Sequence, residues 1–374
     1  MTGRLLTLNA GSSSIKFALF DPAVSLHTPQ QAGQVDGIGT RSGPADHAQA
    51  LRQVMERIGN THITAVGHRI VHGGTQFDRP RLIDDAVLQG IEGLTSLAPL
   101  HQPHNLAGVR AAQAAFPNVP QVACFDTAFH RTMPEVHQRF ALPDELFQRG
   151  IRRYGFHGLS YESITQQLRE QHPALAAGRV VIAHLGNGCS MTAVRDGRSV
   201  ATTMSFSPLD GLTMGTRCGR LDAAVVLHLQ QQEGLSAEEV SRLLHKGSGL
   251  LGLSGLSSDM RELEGAAASG HAGAQRALDH FVEQVLRELA ALAAALRGLD
   301  ALVFTGGIGE NAAAIRARLL DGARWLGLRL DAEANLQRPP GRISTVDSNV
   351  QALVLRTGEE AVIAGHTARL TGVA

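Results

Sequence analysis

The stretch Asn9-Ala10-Gly11-Ser12-Ser13-Ser14-Ile15-Lys16 gathers the residue types that can hold a phosphate. A turn so rich in small residues exposes several backbone N–H groups and three hydroxyls in one concavity, a nest for anionic oxygens. Lys16 stands just past the turn, where its ammonium could reach the same oxygens, and the Asn9 carboxamide stands just before it. Taken alone, the stretch reads equally well as an ordinary serine-rich hairpin with an exposed lysine. Its recurrence favours the phosphate reading. His184-Leu185-Gly186-Asn187-Gly188-Cys189-Ser190 again closes an apolar run, and Thr305-Gly306-Gly307-Ile308-Gly309-Glu310-Asn311 is a third glycine turn behind a strand. Laid over each other, the first two copies place Leu5 on Val181 and Gly11 on Asn187.

Charged residues in apolar or small-residue settings form a second group. Arg69 interrupts the strand-like run Ile63-Thr64-Ala65-Val66-Gly67-His68-Arg69-Ile70-Val71-His72. A buried guanidinium is costly unless something anionic pairs with it. Asp78 and Asp84 are the nearby structural candidates, and a substrate carboxylate is the functional one. His68 and His72 read as satisfied or solvent-facing histidines, because a spacing of four shares a face on a helix and not in this strand. Asp126 ends the run Gln121-Val122-Ala123-Cys124-Phe125, at a strand end where either a cap or a ligand contact belongs. His157 follows Arg152, Arg153 and Tyr154 in a glycine-flanked segment. Arg217 lies in Thr202–Asp222, an aperiodic stretch too apolar for disorder and long enough to be functional.

The elements that must position these groups follow from periodicity. Leu5–Leu8 has buried-strand length, and Ile15, Phe17 and Leu19 alternate as a second strand. Residues 23–46 predict short strands and loops. Asp46 is placed to cap a helix with Leu51, Val54, Met55 and Ile58 on one face. Further helices are predicted through Val109 to Ala114, from Glu162 to Leu168, and behind Ser258 or Asp259. Phe281, Val285, Leu289, Leu292 and Leu296 step as one long amphipathic helix, core or subunit interface. Ala352–Leu355 reads as a strand, and Thr357 with Glu360 as the capping box of a last helix.

The 374 residues suggest two domains. Lys plus Arg equals Asp plus Glu at 34 each, so no global field attracts nucleic acid or an anionic membrane. Cys124, Cys189 and Cys218 are an odd number without a CxxC, which points to a reducing compartment. The most apolar stretch, residues 281–304, is broken by Glu283, Arg287, Glu288, Arg297 and Asp300. No membrane span and no secretory leader is read, so the expected location is the cytoplasm.

Two phosphate hairpins and a later glycine turn resemble the actin, sugar kinase and Hsp70 superfamily. Within it, Leu8-Asn9-Ala10-Gly11-Ser12-Ser13-Ser14-Ile15-Lys16-Phe17 is similar to the acetate kinase family, as are six further motifs in the same order along the chain. The resemblance implies an α/β fold of two duplicated actin-like (ribonuclease H-like) domains with a nucleotide cleft between them. It places residues 1–127 plus 358–374 in the first and 128–357 in a second, nucleotide-binding and dimerising domain. The implied reaction is ATP plus acetate giving ADP plus acetyl phosphate, reversibly, with Mg²⁺ or Mn²⁺, in a homodimer. Arg69, Asp126, His157 and Arg217 fall on the family's catalytic positions. Arg69, Val71, Leu100, Phe156 and Pro208 fall on the acid pocket. Lys16, His184–Gly188, Asp259, Met260, Arg261 and Gly307–Asn311 fall on the ATP site, and Asn9 and Glu359 on the metal site. Because a carboxylate is already nucleophilic, Asp126 reads as orienting an arginine or a metal-bound water. Arg220 and Gly358 depart from the family pattern. Propionate and butyrate kinases of the same family, and an ATP-binding switch of the actin or Hsp70 type, are the alternatives.

Overall fold

The computed structural model describes residues 3–337 and 341–373. The chain divides into two compact units. The first comprises 1–131, 156–163 and 358–374, and the second 132–155 and 164–357. Among the described residues no helix is long and apolar enough to cross a membrane.

In the first unit, strands β1 (Arg4–Ala10), β2 (Ser14–Phe20) and β3 (Gln31–Asp36) run antiparallel. Strand β4 (Ile63–Ile70) then joins β1 in parallel, and β6 (Gln121–Phe125) joins β4. A short β5 (Arg81–Leu82) edges the sheet, whose order is β3-β2-β1-β4-β6-β5. The second unit repeats the plan. Strands β7 (Arg179–Leu185), β8 (Cys189–Arg195) and β9 (Arg198–Thr202) are antiparallel, then β10 (Ala301–Thr305) and β11 (Gln351–Val354) add in parallel. Its order, β11-β10-β7-β8-β9, is the first sheet's core order read from the other edge. β1 and β7 also share one burial pattern, residue for residue.

That match corrects the overlay expected from the sequence by one residue, so that Gly11 falls on Gly186. The turns differ in length. Ala10 pairs with Ile15 across residues 11–14, closed by the Gly11 N–H on the Ser14 carbonyl, whereas Leu185 pairs with Cys189 across 186–188.

Helices cover the first sheet on both faces. Helix α1 (His47–Ile58) starts at Asp46, whose carboxylate accepts from the Gln49 N–H, and buries Leu51, Val54 and Ile58 against Leu6, Leu8, Ile15 and Phe17. Helix α2 (Gln102–Ala115) packs beside it. The other face receives α8 (Glu359–Thr371), with Ala364 and Ala368 against Leu5, Phe20 and Ala65. Gly67 of β4 permits this approach, because a Cβ there would stand 2.3 Å from Thr367 Oγ1 and 2.5 Å from Ile363. The predicted capping box is not formed. Gly358 is the N-cap without a side-chain cap, and its N–H donates to Ser163 Oγ at 2.9 Å.

Helix α3 (Gly158–Gln171) begins four residues before the predicted start. In the second unit, α4 (Ala223–Gln231), α5 (Met260–Ala268) and the long α6 (Ala272–Leu296) follow, then α7 (Gly306–Asn311) directly behind β10. The predicted stripe Phe281, Val285, Leu289, Leu292 and Leu296 is buried. Residues 203–222 hold no helix or strand.

Three buried histidines make the first unit acid-sensitive. Burial lowers His68, His72 and His130 to about 4, Gln121 opposing the shift at His68 and the Phe156 carbonyl at His130. Unfolded histidines bind protons below about 6.5, so the unfolded chain takes up more protons between pH 6.5 and 4 and stability falls as the pH drops through that window. Denaturant unfolding should lose about 3–4 kcal/mol per pH unit near pH 5, and His130→Gln should reduce the slope by about one proton. A flat profile from pH 7 to 5 would mean that these rings are protonated in the folded chain.

Candidate active site

β1, β4 and β6 are neighbouring parallel strands, and in such sheets ligands gather at the carboxyl ends. Asn9 stands near the end of β1, Arg69 near the end of β4, and Asp126 directly behind β6, its N–H on the Ile70 carbonyl at 2.9 Å. Their side chains meet. Arg69 Nε donates to Asp126 Oδ1 at 3.0 Å, Nη2 to Oδ2 at 2.5 Å, and Nη1 to Asn9 Oδ1 at 3.2 Å. Glu359, the first residue of α8, brings Oε2 to 3.9 Å from Arg69 Nε. The partners suggested by nearness in sequence are engaged elsewhere. Asp78 pairs with Arg79 and Arg81, and Asp84 caps the helix that follows it.

Burial works against the Arg69 charge, but Asp126 and then Glu359 outweigh it and hold the guanidinium above its ordinary value. For the Glu359 carboxyl, burial pushes up, Arg69 pulls back, Glu360 pushes up again and Lys16 pulls back, leaving it raised. Lys16 pairs with Asn9 across the β1–β2 ladder, and opposed antiparallel residues share one face of a sheet. Asn9 and Glu359 offer hard oxygen donors, and burial with Glu360 raises the Glu359 carboxyl more than Arg69 and Lys16 lower it. This donor chemistry fits Mg²⁺, which takes one or two protein oxygens and completes its shell with water and phosphate. Among the described residues no three His, Cys, Asp or Glu side chains group to cage a metal by themselves.

His157 precedes α3 with φ +59°, a left-handed conformation. Of the other non-glycine residues with positive φ among those described, Asp196 turns a hairpin and Arg297 caps α6. His157 has neither excuse, and such strain of about 1–3 kcal/mol concentrates at functional sites. Two contacts from one short segment flank it. His130 Nε2 lies 3.0 Å from the Phe156 carbonyl, and the Gly158 N–H donates to the Asp126 carbonyl at 2.9 Å. A Cβ on Gly158 would come 2.1 Å from that carbonyl, so only glycine closes the gap. The low His130 value makes its ring neutral, able to donate from Nε2.

Of the expected acid-pocket residues, Phe156 is buried with its ring edge-on to His72 at 5.5 Å. Val71 is buried, its N–H held by Asn105 Oδ1 at 2.8 Å, while Leu100 is 43 % exposed. Pro208 is half-buried in the second unit, where its carbonyl accepts from Arg217 Nη1 at 2.6 Å. The Arg217 loop is fastened by its backbone, with the Gly215 N–H on the Asn187 carbonyl and the Ser248 N–H on that of Thr216. Asn105, which also donates to the Ala10 carbonyl, was not singled out in the sequence, and neither was His130. Each acts on a backbone group far away in the chain, and no local pattern announces that.

The second unit holds a cavity of ≈ 760 Å³. Gly186 and Asn187 of the second hairpin, Asp259, Met260 and Arg261 of α5, and Gly307, Ile308 and Asn311 of α7 all line it, together with Ser258, Glu264 and Ala312, which were not anticipated. The Arg261 fork grips Asp259, Nε on Oδ1 at 3.1 Å and Nη2 on Oδ2 at 2.6 Å, which lowers the Asp259 carboxyl to about 2. Five expected nucleotide residues of this unit do not line the cavity. Leu185 and Gly309 are buried, and His184 and Gly188 are half-buried. Glu310 braces the turn, accepting from the N–H groups of Gly306 at 3.1 Å and Thr357 at 3.4 Å. Lys16 belongs to the first unit.

Comparison with known proteins identifies the family. The profile of the acetokinase family matches residues 4–365. The acetate kinase of Methylocella silvestris is 48% identical over 99% of this chain and 98% of its own, and that of Rhodopseudomonas palustris 47% over 99% of each. Among solved structures, Porphyromonas gingivalis acetate kinase superposes with a TM-score of 0.89 at 35% identity, covering 99% of this chain and all of its own. A propionate kinase from Francisella tularensis gives 0.92 at 38%, covering 98% and all of its own. The duplicated sheets are thus the actin-like plan of these enzymes, and the chain belongs to the acetokinase family, ATP-dependent phosphotransferases whose acceptor is a carboxylate.

Proposed function

We propose that the protein catalyses reversible phosphoryl transfer from ATP to acetate, giving ADP and acetyl phosphate. The observation that carries this reading is the Arg69 guanidinium, set at the strand ends by a two-point bond to Asp126 beside the strained His157. An acetate oxygen attacks the γ-phosphorus, the bond from phosphorus to the bridging oxygen breaks, and that oxygen leaves with ADP. The carboxylate needs no base, so the work is positioning and neutralising charge on the moving group. Arg69 and Arg217 hold the acid and the phosphoryl oxygens, and His157 donates to the phosphoryl group in the transition state. Asp126 orients Arg69 and moves no proton. Asn9 and Glu359 hold Mg²⁺, or Mn²⁺ in its place, which supplies charge neutralisation along the phosphates.

The turns at Gly11 and Gly186 hold phosphate oxygens, with Lys16 beside the first. The α5 and α7 residues lining the cavity, Asp259, Met260, Arg261, Gly307, Ile308 and Asn311, receive the adenosine. We assign nucleotide binding and dimerisation to the second unit. α4 buries none of its residues and exposes Val225 and Leu227, with Leu221 exposed just before it, which supports pairing with a second copy there. The working location is the cytoplasm.

The likeness to a propionate kinase gives the second reading some weight. Hydroxylamine trapping of acyl phosphate, with ATP, Mg²⁺ and a panel of acids, decides between them. Acetate should lead, propionate follow and butyrate be poor, because one methylene in an apolar pocket is worth only ~1–3 kcal/mol. Val71→Ala should shift kcat/KM toward propionate and butyrate without harming ATP use. Unchanged ratios would remove Val71 from the pocket, and a lead for propionate would install the second reading.

Arg69→Ala and Arg217→Ala should each lower kcat about 10²–10³-fold or more, because a charge-assisted contact in a water-poor site is lost. Lysine should rescue poorly at either position, since a point charge cannot reproduce the fork. Near-normal acetyl phosphate synthesis by either alanine variant would move the acceptor site elsewhere.

His157→Ala should depress kcat far more than it raises the acetate KM, because its contact forms in the transition state. Steady-state kinetics in acetate test this, and a raised KM with unchanged kcat would make His157 a ground-state binding residue.

A further inference from the structure

Two carboxylates line the cavity, and they differ in what they touch. Asp259 is taken, gripped by the Arg261 fork and accepting the Arg261 N–H at 2.9 Å as the cap of α5. Glu264, one turn further along the same helix, has no hydrogen bond or ion pair among the described residues although it is half-buried. Residues four apart share a helix face. Glu264 therefore faces the cavity with Met260, while Leu263 between them is buried in the core. Burial alone acts on its carboxyl and pushes it up, as expected of an anion whose partner is not supplied by the protein.

A half-buried carboxylate on a binding cavity is an acceptor that needs donors. ATP offers few. Its phosphates are anionic and repel a carboxylate, which leaves the adenine amino group and the two ribose hydroxyls. The amino hydrogens diverge, so one carboxylate meets only one of them. Vicinal hydroxyls point together and match two carboxylate oxygens, the chemistry by which an acidic residue holds a ribose in dinucleotide sites. An ideal Cβ on Gly307 would meet nothing within 4 Å, so there is open space along α7 for the flat part of the nucleoside.

We propose that Glu264 accepts both ribose hydroxyls of the nucleotide and makes the enzyme selective for ribonucleotides over deoxyribonucleotides. The proposal rests on reading this cavity as the ATP site. Selectivity of this kind is strong where a substrate hydroxyl is the only partner of a protein group, because the analogue lacking it leaves that group unpaired.

The test compares ATP, 2′-deoxyATP, 3′-deoxyATP and ITP as phosphoryl donors for wild type, Glu264→Ala and Glu264→Gln. Calorimetric binding of ADP and 2′-deoxyADP to the same three proteins accompanies it. In wild type each deoxy analogue should lose about 10–100-fold in kcat/KM, mainly through KM. In Glu264→Ala, ATP should fall to the deoxy level and the differences among the three should shrink to about twofold, while the ratio of ATP to ITP stays put; Glu264→Gln, which keeps an acceptor oxygen, should lie between. Equal use of ATP and 2′-deoxyATP by wild type, or full discrimination surviving in Glu264→Ala, would overturn the assignment. A mutation that erased the difference between ATP and ITP instead would move Glu264 to the base. Should no acid yield an acyl phosphate, the proposed reaction fails, and the ADP against 2′-deoxyADP calorimetry still decides the role of Glu264.

Discussion

The two-point bond between Arg69 and Asp126 is the constraint on which the first unit's site depends. Both side chains leave adjacent parallel strands at the same end, and the carboxylate occupies Nε and Nη2 of the guanidinium. A buried pair of this kind contributes little net stability, because desolvation consumes much of the Coulombic gain, yet losing one partner costs about 3–5 kcal/mol by stranding the other charge. Its value here is direction. With two nitrogens fixed, the guanidinium plane cannot rotate, and Nη1 is left pointing at Asn9 beside the phosphate turn. Both Asp126 oxygens are engaged in holding the guanidinium, which is why we give Asp126 an orienting role.

The same short segment also sets His157. The Asp126 carbonyl takes the N–H of Gly158, and His130, four residues on, holds the Phe156 carbonyl. The strained residue is thus tied on both sides to the segment that orients the arginine. Strain of about 1–3 kcal/mol survives only where its surroundings over-determine the conformation, and this is such a place.

What could be read from the sequence was whatever local physics decides. Asp46 caps α1 because a cap needs only its own first turn, and the stripe from Phe281 to Leu296 is buried because period alone selects a helix face. Arg69 was legible as a buried cation and its partner was not. The plausible acids stood nearby in the chain, while the real one is 57 residues away, delivered by strand pairing. The capping box failed for a similar reason. Ser163, 195 residues earlier, reaches the Gly358 N–H and moves the helix start off Thr357. The hairpin overlay slipped by one because a turn's length depends on how its strands register, which residue types alone do not specify. Glu264 is the opposite case. A lone acid on an amphipathic helix looks like solvent-facing charge until the cavity beside it is known.

Helix α8, lying on Gly67, has a consequence for how the enzyme is made. The first unit is interrupted by the whole of the second, and Glu359 reaches Arg69 only because the chain returns to it. During synthesis the early strands emerge first and can pair, leaving one sheet face, around Leu5, Phe20 and Ala65, uncovered until residues 359–371 arrive. The second unit forms meanwhile, since domains generally fold as units in order of synthesis. Assembly of the charge cluster around Arg69 is thereby tied to the synthesis of residues 359–371. A nascent chain that stops short of them has the Arg69–Asp126 pair, the serine turn and the cavity of the second unit, but lacks the carboxylate that completes the charge balance around Arg69.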